Sequence, residues 1–205
     1  MLEKVKQNTV IHPQARRSTF WEFAAEDVAD PEFEKEAWFS ATLLGFGECG
    51  YTVGEEATVL FCGRDDAPGV AKMATGPLSP DAAIITSLFI NPARAGRGLE
   101  AVLLDSAIMD LTERGASAVE AFGYYTGLHS PDSATADPVA YDMCRHFMGT
   151  RPESIGLMTV DVLQAAGFEV VADHPVTPRL RLELPPAHDL LTAAAVEQLL
   201  ARALA

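Results

Sequence analysis

A short glycine-spaced loop, residues 93–98, combines residue types that bind anions. Gly96 and Gly98 would let the backbone approach a ligand closely, which a side chain at either position would hinder. Arg94 and Arg97 add guanidinium groups, whose planar N–H donors suit phosphate oxygens. The loop therefore predicts an anion site, most often for phosphate, built from backbone amides with two arginines beside it.

The elements on either side of this loop must hold it in place. Residues 83–90 form an apolar run rich in β-branched side chains, too short for a helix and typical of a strand buried on both faces. After the loop, apolar residues spaced by three and four define one face of a helix that begins near Leu99 and ends at Gly115. This order places the positive end of a helix dipole beside the loop.

Two phosphate-binding patterns compete for this stretch. Residues 96–101 match the Gly-x-Gly-x-x-Ala form of a dinucleotide fingerprint, and Glu120 lies about where its ribose-binding acid would stand. In dinucleotide-binding folds, however, the first glycine follows its strand almost at once, whereas residues 91–95 intervene here. The stretch also has few strand–helix repeats after it, so the dinucleotide pattern is the weaker match.

The better match is the acyl-CoA-binding motif of the GNAT acetyltransferase superfamily, which this sequence resembles. In that motif a strand ends in a hydrophobic-x-Pro step, and a loop of the form Gln/Arg-x-x-Gly-x-Gly/Ala starts the next helix. Without gaps, residues 88–92 match the strand end, residues 96–99 the loop and residues 102–104 the helix. The resemblance covers most of residues 19–184 through segments similar to a group of actinobacterial GNAT proteins of largely unassigned substrate: FWEF, EKEAWFSATLLGFGECG, AVEAFG, AAGFEVVADHP and PRLRLEL.

The resemblance implies an α/β (α+β) fold with a mixed, mostly antiparallel central sheet flanked by helices. The strand–helix–strand order predicts that residues 83–90 and 118–122 form a parallel pair, and the family pattern implies that this pair splays apart. Acetyl-CoA, the acyl donor, would enter between the two strands. The expected cofactor-binding residues are Leu88, Phe89, Ile90, Arg94, Ala95, Gly96, Arg97, Gly98, Leu99 and Glu100.

Two residues of the motif depart from the family pattern. Ala95 stands where the family usually has Gln or Arg, and Glu100 where it has the second Gly or Ala. A carboxylate at Glu100 suits the helix dipole but would repel a pyrophosphate on the same N–H groups. Arg94 and Arg97 could compensate as cationic donors. We expect the amides of residues 95–101 to form a concave anion site, with the Glu100 side chain directed away from it.

The residues for proton transfer are less well defined. Acetyl transfer needs a base for the amine and an acid for the leaving thiolate. The central strand contains no carboxylate, so Glu120 on the adjacent strand is the best candidate base, and the alternative is a glutamate paired with arginine or backbone. The family usually places its acid, a tyrosine, where this chain has Leu163. Candidate substitutes for that acid are Tyr124, Tyr125, Tyr141, Cys144 and His146.

The organisation of the chain is predicted as one domain with two appendages. Residues 1–17 are polar and unpatterned, typical of a surface arm. The GNAT-like domain should span residues 18–184, with a first strand at residues 18–23 and an insertion at about residues 124–156. Residues 185–205 predict an amphipathic helical tail that docks on its own domain or on a second subunit of a homodimer.

Further elements are predicted around this centre: a helix over residues 33–46, a hairpin of residues 49–53 and 57–62, a helix over residues 157–166, and an antiparallel pair of residues 168–172 and 178–184. Asp30 and Pro31 would cap and start the first of these helices. Its inward residues are expected to be Ala37, Trp38, Ala41, Leu43 and Leu44.

Composition narrows the possible partners. A chain of 205 residues with 48% hydrophobic residues suits one well-buried domain. A formal charge of −14 argues against nucleic acid and anionic membranes, and favours a cationic acceptor. No apolar run approaches membrane-spanning length and residues 1–18 lack a signal core, so we expect a cytoplasmic protein. Cys49, Cys62 and Cys144 are widely spaced and odd in number, which favours buried thiols over a disulfide framework or a metal site.

Two functional hypotheses follow. The first is a CoA-dependent N-acetyltransferase that moves an acetyl group from acetyl-CoA to an amine of a small molecule or a protein. The second is a catalytically silent GNAT-fold binding or interaction module with a degenerate CoA loop. Ala95, Glu100, Leu163 and the insertion motivate the second hypothesis.

Overall fold

An eight-stranded sheet forms the centre of the molecule in the computed structural model, which describes residues 1–24, 28–125 and 151–205. The strands in these ranges are β1 (Glu3–Lys4), β2 (Gly50–Thr52), β3 (Ala57–Cys62), β4 (Ala82–Ile90), β5 (Ala118–Tyr124), β6 (Met158–Thr159), β7 (Glu169–Ala172) and β8 (Arg179–Glu183). The α-helices are α1 (Pro13–Arg17), α2 (Pro31–Gly45), α3 (Leu99–Glu113), α4 (Val160–Ala165) and α5 (Ala193–Leu204).

The sheet is mixed and mostly antiparallel, as predicted. Its strand order is β1-β2-β3-β4-β5-β8-β7, and β6 pairs with β5 beside that path. The β4–β5 and β5–β6 pairs are parallel, whereas β1–β2, β2–β3, β3–β4, β5–β8 and β7–β8 are antiparallel. The predicted hairpin, the central parallel pair and the β7–β8 pair are therefore confirmed.

Helices cover both faces of the sheet. One apolar layer joins α3, α4 and α5 to the sheet, and the other joins α1 and α2 to it. Helix α3 packs with the face predicted from its spacing, since Leu99, Leu103 and Leu111 are fully buried. Beyond its last turn, Gly115 has a φ of 77°, a left-handed conformation that glycine adopts without strain.

The N-terminal residues differ from their prediction. Strand β1 pairs with β2, and Val5, Ile11 and Ala15 are buried, so this segment is part of the packed structure and not an arm on its surface. The strand predicted at residues 18–23 is wrong, because these residues form turns and irregular backbone. The Trp21 side chain accounts for the difference. Its ring is buried, and its Nε1 donates at 2.9 Å to the carbonyl of Ile155, a residue distant in the sequence, so this segment is held by a long-range contact and not by strand pairing.

Helix α2 begins as predicted, and Trp38 and Leu43 lie toward the core as expected, but the other residues of its inward face differ from the prediction. The Asp30 side chain accepts from the N–H of Phe33 at 3.2 Å, and Pro31 is the first helical residue. The buried residues are Lys35, Trp38, Phe39 and Thr42, whereas Ala37, Ala41 and Leu44 are exposed. The apolar pattern was misleading here because a lysine occupies one of the inward positions.

That lysine forms a buried ion pair with Glu22. Lys35 Nζ lies 2.5 Å from Glu22 Oε1, and the two side chains are 1% and 0% exposed. The same ammonium donates to the carbonyl of Ser18 at 2.6 Å and lies 5.5 Å from the centre of the Trp38 ring. The pair therefore holds residues 18–22, which include Trp21, against helix α2.

The last two helices agree with their predictions except in where one of them begins. The helix predicted over residues 157–166 begins later, at Val160, because Thr159 caps it by accepting from the N–H of Val162 at 3.2 Å. The tail helix α5 docks on its own domain, against α3.

Cys49 and Cys62 are free and buried, and burial raises the pKa of Cys49 to about 12. In the described ranges, no helix is both long and apolar enough for a membrane span.

Replacing Lys35 by Met should lower the free energy of unfolding by about 3–5 kcal/mol, because Glu22 is left as a buried unpaired charge. The double variant Lys35→Met with Glu22→Gln should recover most of this loss, since no buried charge remains. Urea denaturation measures both values. Arg17→Met, which breaks the exposed pair of Arg17 with Glu32, is the control and should cost less than about 1 kcal/mol. A Lys35→Met protein as stable as the native chain would contradict the buried pair.

Candidate functional site

Strands β4 and β5 separate along their length. Their parallel pairing ends at Ile84 with Glu120, whereas β4 stays paired with β3 as far as Ile90 with Ala57. The second half of β4 therefore has one edge that β5 does not cover. The separation expected from the family resemblance is present.

The register with β3 shows which backbone groups face that edge. The N–H of Asn91 donates to the carbonyl of Glu56 on the β3 side, at 2.7 Å. Because the groups of a strand alternate in direction, those of Leu88 and Ile90 point to the opposite, uncovered edge. The N–H of Leu88 donates there to the carbonyl of Gly156, at 2.8 Å.

Residues 156–159 form a wedge between the separated strands. Met158 and Thr159 of the wedge pair with Gly123 and Tyr124 of β5, and Gly156 reaches β4.

Only glycine fits at the tip of the wedge. Gly156 has a φ of 68°, and a Cβ there would lie 2.6 Å from Ser87 Cβ and 2.8 Å from Phe89 Cε2. The bond from Trp21 to Ile155, the residue just before Gly156, fixes the segment from the other layer. The contact of the wedge with β4 thus depends on a glycine and a distant tryptophan.

A cleft of about 370 Å³ lies between β4, the wedge and the glycine loop. Its lining is mostly apolar and includes predicted cofactor residues from both the strand and the loop. The lining residues are Gln14, Leu88, Phe89, Ile90, Pro92, Ala95, Glu100, Tyr124, Glu153, Leu157, Met158, Thr159 and Val162. The structure therefore brings Leu88, Phe89, Ile90, Ala95 and Glu100 together with Tyr124, as one cleft.

The glycine loop leads into the start of α3 through two glycines with left-handed backbone. Gly96 and Gly98 have φ values of 70° and 100°, and Gly98 is the residue before the first turn. Among the described residues, no side chain caps this helix. Leu99 is fully buried, so only its backbone N–H, not its side chain, can contribute to the site.

The prediction that Glu100 points away from the loop is wrong. Its Oε1 accepts from the N–H of Gly96 at 2.8 Å, so the carboxylate closes back onto the loop. The left-handed backbone at Gly96 lets this N–H be reached from the first turn of the helix. One amide of the predicted anion site is therefore occupied by the chain's own anion.

The two arginines of the loop differ in their surroundings. Arg94 Nε lies 3.4 Å from Glu56 Oε2, and its Nη1 donates to the carbonyl of Ala203 in α5 at 3.1 Å. Arg97 is exposed to solvent. Arg94 is thus engaged by the chain itself, and Arg97 is the more accessible cation.

Glu120 lies in the buried, paired part of the sheet. Its oxygens accept from Ser79 Oγ at 2.5 Å, from the N–H of Ser79 at 3.1 Å and from Arg179 Nη1 at 2.5 Å. Arg181 Nη1 lies 3.5 Å away, and the carboxylate is 0% exposed. Glu120 sits where β4 and β5 still pair, whereas the cleft opens at Leu88. These contacts favour the alternative of a glutamate satisfied by arginine and backbone.

The other predicted catalytic residues have different outcomes. Tyr124 lines the cleft at the end of β5. His146, together with Tyr141 and Cys144, lies outside the described residues. Leu163 is fully buried in the apolar layer, so its position does not face the cleft.

The role of the wedge could not be predicted from the sequence, because it depends on contacts between residues that are far apart in the chain. No local pattern links Gly156 with Leu88, which lies 68 residues earlier in the sequence. The Gly156 position could have been found only as an isolated glycine before an apolar segment. Such a glycine can mark close approach of backbone, but it does not identify the partner.

Comparison with known proteins supports the fold. No protein-family model and no curated protein sequence matches the chain. Among solved structures, an N-acetyltransferase from Staphylococcus aureus Mu50 is similar, with 12% identity and a TM-score of 0.50 over 90% of this chain and 98% of that one. The ribosomal-protein-S18-alanine N-acetyltransferase of Escherichia coli has 11% identity and a TM-score of 0.46 over 94% and 98%. The likeness to the first of these shows that the chain has the predicted GNAT fold.

Glu120→Ala should lower the free energy of unfolding by about 3 kcal/mol, because it leaves the largely buried Arg179 guanidinium, which is 15% exposed, without its carboxylate. Glu183→Ala is the matched control, since Glu183 is an exposed partner of Arg181 and its loss should cost less than about 1 kcal/mol. Chemical denaturation compares the two variants. If the Glu120→Ala protein is as stable as the control, the result would instead favour a Glu120 carboxylate that is available for catalysis.

Proposed function

We propose that this chain is an acetyl-CoA-dependent N-acetyltransferase that acts on an amine of a small molecule or a protein. The observation that carries the proposal is the cleft between β4 and the wedge, which leads to the glycine loop and to the uncapped start of α3. A cytoplasmic site of action is part of the same proposal.

The cleft suits the parts of acetyl-CoA in their expected order. Apolar walls from Leu157, Met158 and Val162 suit the pantetheine arm, and the backbone groups of Ile90 face its path. The uncapped N–H groups at the start of α3 suit the pyrophosphate, and Arg97 adds an exposed cation. The Glu100 carboxylate does not fit beside a phosphate in its present position and would have to move.

The chain supplies positioning and proton transfer. When bound, acetyl-CoA would provide the acetyl group as a thioester. The amine nitrogen then forms a bond to the acetyl carbon as the carbon–sulfur bond breaks, the nitrogen loses a proton and the sulfur gains one. Tyr124, at the cleft, is the proposed proton donor to sulfur. Orientation of the two substrates supplies much of the rate enhancement, and the acidic chain favours a cationic amine.

Specific contacts favour a second candidate, a GNAT-fold binding module without transfer activity. The N–H of Leu88 is bound by Gly156, and the N–H of Gly96 by Glu100. If these bonds persist in the presence of acetyl-CoA, the cleft cannot hold the cofactor by those groups. The two candidates therefore differ in whether acetyl-CoA displaces acceptors that belong to the chain.

Glu100→Gln should bind acetyl-CoA at least about fivefold more tightly than the native chain. Two unit charges 4 Å apart repel by about 1 kcal/mol in water and more near a protein surface, and 1.4 kcal/mol is tenfold in affinity. Isothermal titration calorimetry gives the dissociation constants. Glu113→Gln is the matched control, because Glu113 is exposed at the far end of the same helix.

Acetylation of a panel of small and peptide amines by the native chain then tests the reaction itself. Binding of acetyl-CoA followed by transfer to an amine supports the enzyme. Binding without transfer to any amine favours the module. No binding by either the native chain or Glu100→Gln at millimolar acetyl-CoA would remove the proposed function.

A further inference from the structure

We propose that helix α5 is a built-in cap on the phosphate-binding loop, an inference that rests on the proposed function and concerns the regulation of that site. In the capped state α5 packs on the loop and holds Arg94. Acetyl-CoA gains its phosphate contacts only when α5 moves off. The cap therefore lowers the affinity for the nucleotide part of the cofactor without closing the cleft between β4 and the wedge.

The first contact lies on the glycine that starts α3. The Leu199 side chain packs against Gly98 so closely that a Cβ on this glycine would lie 2.9 Å from Leu199 Cδ2. Gly98 is the residue before the uncapped helical turn, where the pyrophosphate is proposed to bind. A leucine from the tail thus covers part of the surface that the anion needs.

In the second contact, a backbone carbonyl oxygen of α5 binds the Arg94 guanidinium, which a phosphate oxygen could bind instead. Arg94 Nη1 donates to the carbonyl of Ala203, which lies in the last turn of α5. The C-terminal end of a helix carries a partial negative charge, so it can neutralise an arginine as an anion would. The C-terminal end of α5 and the Glu100 carboxylate together place negative charge where the pyrophosphate of the cofactor is proposed to bind.

Helix α5 buries few residues against the domain, so its docking can be reversible. Ala203 is the one fully buried residue of α5, while Leu199, Leu200 and Leu204 are partly buried. The N-terminal approach to the helix is held by the Leu191 N–H, which donates to Asp105 Oδ2 at 2.8 Å. A helix with few buried residues belongs to the least stable part of a fold and can detach without global unfolding.

Capping has a measurable consequence for affinity. If only the uncapped state binds the phosphates, the apparent dissociation constant is the intrinsic one divided by the uncapped fraction. Variants that undock α5 should therefore bind acetyl-CoA more tightly. S-acetylpantetheine has no nucleotide and occupies only the cleft, so its affinity should not change.

The test uses full-length chains with matched substitutions on one helix. Ala203→Gln places a larger polar side chain at the buried position, whereas Ala201→Gln makes the same change at an exposed position of the same turn. Leu199→Gln removes the contact with Gly98 by an independent route. Calorimetric titration with acetyl-CoA and with S-acetylpantetheine measures each dissociation constant, and hydrogen exchange of residues 193–204 reports whether α5 is docked.

We expect Ala203→Gln and Leu199→Gln to bind acetyl-CoA at least about fivefold more tightly than the native chain and Ala201→Gln, corresponding to a native uncapped fraction of about one fifth or less. Amide exchange in α5 should rise in the same two variants. Should Ala203→Gln fail to fold by circular dichroism, Leu199→Gln decides the result.

Two failures are distinguishable. Equal affinity for acetyl-CoA in all four proteins, with α5 shown to be undocked in the two variants, overturns the cap and leaves the proposed function standing. Absence of binding in all four at millimolar acetyl-CoA overturns the proposed function and the cap with it. A gain for S-acetylpantetheine equal to that for acetyl-CoA also overturns the cap, because the effect would then not concern the phosphates.

Discussion

Strands β4 and β5 stop pairing beyond Ile84 and Glu120, and this loss of shared backbone hydrogen bonds determines how the cleft is built. Buried N–H and C=O groups must find partners, so each strand needs another neighbour along the stretch where they separate. Strand β5 takes β8 on one side and β6 on the other, while the free edge of β4 takes the carbonyl of Gly156. The cleft exists because these replacements leave apolar space between β4 and the wedge.

The same requirement recurs at the glycine loop. The N–H of Gly96 is satisfied by Glu100, and the Arg94 guanidinium by Glu56 and by the end of α5. A ligand at this loop would exchange existing hydrogen bonds for new ones, and such exchange yields little net free energy for each bond. The affinity for a cofactor is therefore set by how easily the chain's own groups give way, in addition to the contacts that the cofactor makes.

Much of the fold could be predicted because its central elements have strong local patterns. Strand β4, helix α3 and the β2–β3 hairpin follow from apolar spacing and turn residues. The failures have long-range causes: Lys35 is buried because Glu22 meets it, and the direction of Glu100 depends on the local backbone at Gly96. Glu120 could be placed on its strand from sequence, but not its contacts with Ser79 and Arg179, which come from other parts of the chain.

We propose that acetyl-CoA binds in this cleft by displacing hydrogen-bond acceptors that belong to the chain. A titration of ¹⁵N-labelled protein with acetyl-CoA, followed by the backbone amide resonances of Leu88 and Gly96, tests it most directly. We expect large, saturable shifts of both resonances, because each N–H exchanges its present acceptor for the cofactor or loses it. Binding of acetyl-CoA that leaves both resonances unchanged, or no binding at millimolar concentration, would contradict the account.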